Sequence, residues 1–263
     1  MIFDSLTHVT PDGRWFDSNL DASEGELLRQ LDDSRIERAM VVALADHIEN
    51  RFVLNVCQRQ PGRLIPCASF NPSKYRDPGE ARGAVRKELK DGPFEALKLH
   101  PRLNRYDPLD PRCIAVLEEI ATWKHSLPIW LDTLFYYRGG HLRKTPVDTI
   151  HELASRFPSL RFVFLHGGGS WILQVAEAIR DSPNAYLDLS FTLIRYRGSS
   201  IATDLRYLVS TFDRRLVFGS DFPEIGLTDT LAEFKELTAG LPEDKCANVL
   251  GKNLSQILHM EQP

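Results

Sequence analysis

Eight short apolar runs, the helical segments between them and a length of 263 residues together predict an α/β chain closed as a (β/α)8 TIM barrel. The runs lie at residues 1–7, 39–43, 64–70, 95–99, 128–132, 161–165, 185–189 and 216–219. Most contain Val or Ile and are flanked by Pro or Gly, which favours strands over short helices. Helical spacing occupies 23–31, 110–123, 147–157 and 230–239; in the first, Leu27, Leu28 and Leu31 recur on one face. Strands that alternate with helices imply parallel pairing through right-handed crossovers. An open, doubly wound sheet is the competing architecture, but eight units in a chain near the usual length of roughly 250 residues favour closure. Small distortions or loop insertions are compatible with this. No repeat, linker or shift of composition divides the chain, so residues 1–263 read as one barrel domain.

The composition excludes several classes of function. Hydrophobic residues make up 43% and charged residues 26%, as in ordinary globular proteins. The net charge of −4 and the lack of a basic stripe argue against nucleic acid as a partner. No apolar run reaches the length of a membrane span. Cys57, Cys67, Cys113 and Cys246 form no CxxC pair, so reduced thiols are expected rather than a zinc ribbon or disulfides. The opening Met1-Ile2-Phe3-Asp4 lacks the basic and apolar regions of a secretory leader, and a cytoplasmic chain is expected. A homo-oligomer is compatible with the sequence.

Polar residues close the strands. His8 follows the first; Lys98 and His100 end the fourth in Lys98-Leu99-His100-Pro101; Asp132 ends the fifth, His166 the sixth and Asp221 the eighth. In a parallel barrel all these ends meet at one rim, where imidazoles and carboxylates suit a divalent metal or acid–base chemistry. Singly, each has an ordinary explanation: Asp221 before Phe222-Pro223 could cap a turn, and a lone histidine is usually a hydrogen-bonded structural residue. Together they point to one shared site.

The order of these motifs resembles the amidohydrolase superfamily, in its branch of small hydrolases and decarboxylases. The resemblance rests on Lys98-Leu99-His100-Pro101, Phe164-Leu165-His166-Gly167-Gly168, Phe218-Gly219-Ser220-Asp221-Phe222-Pro223 and the closing Gly251-Lys252-Asn253. It implies a barrel with its reaction centre at the C-terminal strand ends. It also implies a metal held by a His-x-His on the first strand and a histidine on the fifth. Here the triplet is Leu6-Thr7-His8, and Asp132 stands on the fifth strand. His100, His166 and Asp221 match the family pattern.

Two readings of the site follow. His8, Asp132, His166 and Asp221 could hold one divalent ion: zinc, or else manganese or iron. The alternative has no metal: Lys98 neutralises Asp132, Asp221 acts as general base on water, and His166 and His100 polarise the carbonyl. Either way the expected activity is hydrolysis of a carboxylated ester, lactone or amide. Non-oxidative decarboxylation, or a catalytically degenerate ligand-binding barrel, are the rivals.

The loops after the strands carry cations and aromatics. Arg102, Tyr136, Arg138, Trp171 and Arg195 are the candidates for binding a small anionic organic substrate, because guanidinium forks match carboxylates and tyrosine adds a donor on a flat wall. Exposed loop arginines often meet only water, and Trp171 suits packing as well as recognition.

Overall fold

The eight predicted strands form a single parallel sheet whose order follows the sequence. They are β1 (Phe3–Thr7), β2 (Arg38–Val42), β3 (Leu64–Ser69), β4 (Ala96–Leu99), β5 (Ile129–Asp132), β6 (Phe162–Leu165), β7 (Ala185–Asp188) and β8 (Leu216–Val217). The structure is a computed structural model that describes residues 1–90, 92–135 and 144–260. β8 pairs with β7 over two residues only. The seam with β1 is instead closed by the chain beyond it: Ser5 N–H donates to Phe218 O (3.0 Å), Asp221 N–H to Leu6 O (3.0 Å), and His8 N–H to Phe222 O (2.8 Å).

Alternation along each strand builds two layers of core. Met40, Val42, Ile65, Cys67, Ala96, Trp130, Val163, Leu165 and Val217 pack with one another inside the barrel. Their neighbours in sequence, such as Val41, Ala68, Leu97, Leu131, Phe164 and Leu187, pack outward against the helices. Both faces of most strands are therefore apolar, as parallel sheets require; β1, with Asp4, Ser5 and Thr7 buried, is the main exception.

The outer layer follows from local signals. Ser23, Asp77, Asp110 and Thr145 cap α1 (Glu24–Ser34), α3 (Pro78–Leu89), α5 (Pro111–Ala121) and α6 (Pro146–Arg156), each accepting a first-turn N–H. α3, α5 and α6 also begin on proline, which gives up no helical hydrogen bond at that position. Between these lie α2 (Asn50–Arg59) and the one-turn α4 (Pro101–Asn104); α7 (Ile172–Ala178), α8 (Thr192–Arg195) and α9 (Ser200–Thr211) follow, then α10 (Leu227–Leu237) and α11 (Glu243–Ala247). α2 buries Val53, Val56 and Cys57 and α9 buries Leu205, Leu208 and Val209; neither was among the segments that the sequence marked as helical.

The closing Gly251-Lys252-Asn253 motif seals the end of the barrel opposite the site. Leu254 and Ile257 of α12 (Asn253–Ile257) join the interior cluster. The Asn253 amide donates to Asp213 O and Leu216 O at 2.7 Å, fixing the entry to β8. A Cβ at Gly251 would lie 2.9 Å from Met1 O, so only glycine lets this helix approach β1. All four cysteines are free, Cys57, Cys67 and Cys113 buried. Among the described residues no helix is long and apolar enough to cross a membrane.

Asp4 ties the seam from inside. Its Oδ1 accepts from Leu6 N and Ser220 N, both at 3.0 Å, while its buried Oδ2 has no partner. Burial, against these hydrogen bonds, pushes the carboxyl up to about 7. The folded state thus binds a proton that the unfolded chain releases, and this contribution is lost as pH rises from the ordinary carboxylate range through 7. Wild type should lose about 1–3 kcal/mol between pH 5 and 8 relative to Asp4→Asn, whose stability lacks this pH dependence. Urea unfolding of both proteins at the two pH values checks it.

Candidate active site

Barrel closure brings the polar strand ends into one bowl. His8, Lys98, His100, Arg102, Asp132, His166 and Asp221 all line a cavity of about 560 Å³. Trp15, Phe16, Leu44, Leu103, Leu134 and Phe191 supply its apolar walls. This size and mixture suit a small organic ligand.

Asp132 is the most heavily engaged group. It is fully buried, takes Arg102 Nη2 at 3.1 Å and His166 Nε2 at 3.3 Å, and faces His100 Nε2 at 3.6 Å. Burial would raise its carboxyl, but the Arg102 charge and the His166 hydrogen bond hold it well below the carboxylate range. Its direct partners are Arg102 and His166, while Lys98, expected to neutralise it, acts on it only through charge at longer range. The same pairing turns Arg102 toward the protein's own carboxylate, because that anion is fixed within reach.

The histidines divide into distinct states. His8 donates Nδ1–H to Val42 O at 2.6 Å, so Nε2 carries the lone pair. Burial first, then the Lys98 charge, lowers its basicity well below the ordinary range, and the ring stays neutral. His100 is neutral too, lowered mainly by burial, and its Nδ1 receives the Leu103 N–H at the start of α4. Burial opposes protonation of His166, yet the Asp132 hydrogen bond and the Asp221 charge outweigh it and raise its pKa. The nitrogens of His100 and His166 face protein partners, which turns them from the expected direct polarisation of a carbonyl toward fixing the floor.

Asp221 differs from Asp132. Its pKa is raised, chiefly by burial, although His166 and Lys98 pull it down. The neutral His8 ring lies beside it, with Nε2 4.0 Å from Oδ1. Lys98, 2% exposed, puts Nζ 3.3 Å from that same nitrogen. Burial lowers the Lys98 pKa, and the charges of Asp221 and Asp132 restore part of it.

Asp188, at the end of β7, gave no signal as an isolated aspartate; the alternation that turns it inward could have found it. It accepts from the Ser5 and Ser190 hydroxyls and from the backbone N–H of His166 and Ser190, each at 3.1 Å. This network holds the turn that carries His166. A Cβ at Gly219 would come within 2.5 Å of Asp188 Oδ2 and of Ser5 Oγ, which explains the glycine before Ser220-Asp221. His166 and Asp221 sit at φ +62° and +72°, a conformation costing about 1–2 kcal/mol that persists only where packing enforces it. Trp15, stacked on His8 at 5.3 Å and bonded to Glu224 Oε1, was likewise not apparent before folding.

Two expected substrate contacts fall outside the cavity lining. Trp171 is 37% exposed beyond the His166 turn, and Arg195 is exposed at the end of α8, because both short segments lead the chain outward. Tyr136 and Arg138 lie outside the described residues.

The chain belongs to the amidohydrolase family, whose profile matches residues 8–253. No curated protein sequence matches it significantly. Among solved structures, an uncharacterised TIM-barrel protein from Bordetella bronchiseptica superposes with TM-score 0.79 at 19% identity, covering 98% of each chain. A probable 2-pyrone-4,6-dicarboxylic acid hydrolase from Acinetobacter baumannii, with citric acid bound, gives 0.68 at 16% identity, over 98% of this chain and 99% of that one. A 5-carboxyvanillate decarboxylase from Novosphingobium aromaticivorans, complexed with manganese, gives 0.69 at 10% identity, over 99% and 96%. Likeness at these identities shows a shared fold.

A divalent ion such as that manganese fits these residues poorly. Leu6 is fully buried in the apolar interior, where it offers no donor. Asp132 is committed to Arg102 and His166. Among the described residues no group of three His, Cys, Asp or Glu side chains could hold an ion. The Lys98 ammonium beside His8 opposes a second cation.

Removing Arg102 tests the charge balance. Arg102→Leu should destabilise the fold by on the order of 3 kcal/mol, because Asp132 stays buried with fewer partners. Chemical denaturation at neutral pH measures this, and an unchanged midpoint would contradict the pairing.

Proposed function

We propose that this chain hydrolyses a carboxylated ester, lactone or amide with water activated by Asp221. The observation that carries the reading is the Asp221 carboxylate on the cavity floor. Burial raises its basicity, and the neutral His8 ring, 4.0 Å away, does not neutralise it, so it can still take a proton. Asp221 removes a proton from water as the oxygen attacks the carbonyl carbon. The Lys98 ammonium, close by in a dry site, stabilises the charge that develops on the carbonyl oxygen. Collapse breaks the bond to the leaving oxygen or nitrogen, which recovers the proton from Asp221.

The cationic groups Lys98, Arg102 and His166 favour an anionic substrate, in keeping with a fold relative that holds citric acid. Phe191, Trp15 and Leu134 suit a compact carbon skeleton beside the carboxylate. Non-oxidative decarboxylation is the second reading, favoured by the manganese-complexed relative of similar fold. The two differ in product: hydrolysis releases a new acid, whereas decarboxylation releases carbon dioxide.

Turnover on a panel of carboxylated lactones and esters, followed by proton release, tests the first reading. Asp221→Asn should lower kcat by about 10²–10⁴-fold with unchanged melting. Carbon dioxide release without hydrolysis would favour the rival, and binding without turnover a non-catalytic barrel.

The pH profile has a set direction. Activity should rise as Asp221 ionises, above the ordinary carboxylate range because its pKa is raised. It should fall as Lys98 loses its proton, below the ordinary lysine range because its pKa is lowered. In kcat/KM against pH, Lys98→Met should remove the alkaline limb along with most activity.

A further inference from the structure

We propose that the Lys98 side chain occupies the place where a divalent ion would attach, so that this barrel carries its site cation covalently. Three observations converge on the point. The His8 tautomer is fixed by the 2.6 Å bond from Nδ1–H to Val42 O, which leaves the Nε2 lone pair free to meet a cation. The cation it meets is the Lys98 ammonium at 3.3 Å. The Asp221 carboxylate lies 4.0 Å from the same nitrogen and attracts Lys98. An imidazole nitrogen thus meets the positive charge directly while the carboxylate balances it from beyond ion-pair distance, the two kinds of donor that a metal would also draw on.

Leu6 is the second half of the exchange. Its backbone carbonyl accepts the Asp221 N–H at 3.0 Å, so its Cα lies directly across the seam from Asp221. Its side chain packs among Trp130, Val163, Leu165 and Val217, under the bowl. An imidazole there would bring a third donor toward His8 and Asp221, and three donors with one open position make a workable site. With Leu6 in place only two donors remain, too few to offset the desolvation of a divalent ion. A monovalent ammonium on a buried stem needs no more than these two partners, because its charge is smaller and the chain already holds it there. The apolar residue and the lysine therefore act as a linked pair: one removes a ligand, the other replaces the charge.

The inference concerns which cation the bowl contains and stands apart from the reaction performed on the substrate. Manganese and zinc titrations, read by calorimetry and by metal content after desalting, test it without any turnover. Wild type should retain neither ion. Leu6→His combined with Lys98→Ala should retain about one equivalent and bind at least about a hundredfold more tightly, the effect of one unit charge at this range. Leu6→His alone should remain weak, since the ammonium is still present. Stoichiometric metal in the wild type overturns the proposal. So does equal binding by Leu6→His alone and by the double variant, because Lys98 would then exclude nothing. A folded double variant that binds no metal overturns it as well. Should that protein fail to melt cooperatively, Leu6→His combined with Lys98→Met carries the comparison: metal retention above that of Leu6→His alone supports the exchange, and none refutes it.

Discussion

Everything at the rim depends on how the barrel is shut. β8 is too short to close the sheet by itself, so the chain running from Phe218 to Phe222 completes the seam through backbone bonds to Ser5, Leu6 and His8. Those bonds place the eighth-strand aspartate beside the first-strand histidine. Gly219 makes the approach possible by leaving room for the Ser5–Asp188 hydrogen bond, and Asp4 fastens the same stretch from within. A loosened seam would separate Asp221 from His8 before it disturbed any helix.

The floor of the bowl then sorts its two carboxylates by their surroundings. Asp132 is saturated by Arg102, His166 and His100 and stays ionised as a structural anion. Asp221, with weaker support, retains the basicity that burial confers. Environments that push two acids apart in this way separate the group that anchors from the group that reacts. The histidines divide on the same principle: His166 gains charge from its carboxylate neighbours, while His8 and His100 stay neutral.

Family membership and local chemistry say different things about this chain. The profile places it among amidohydrolases, and a decarboxylase of similar fold is complexed with manganese. The residues around the site depart from that plan at Leu6 and Asp132, and the Lys98 ammonium stands beside His8. The departure is local; the scaffold that presents it is unchanged.

The amino-acid order by itself determined the barrel, because apolar alternation, proline and acidic caps and regular spacing are local signals that act before the chain closes. It also marked His8, Lys98, His100, Asp132, His166 and Asp221, since a polar residue at the end of an apolar strand is visible one strand at a time. Trp15 was not legible, because its role arises from neighbours far away in sequence, and for Asp188 strand alternation marked only its inward direction, not its partners. Nor could the sequence pair Arg102 with Asp132 or turn Trp171 and Arg195 away from the cavity. Only the tertiary structure decided those partnerships and the state of each ionisable group, because burial and Coulomb attraction depend on distances that exist only once the ring of strands is complete.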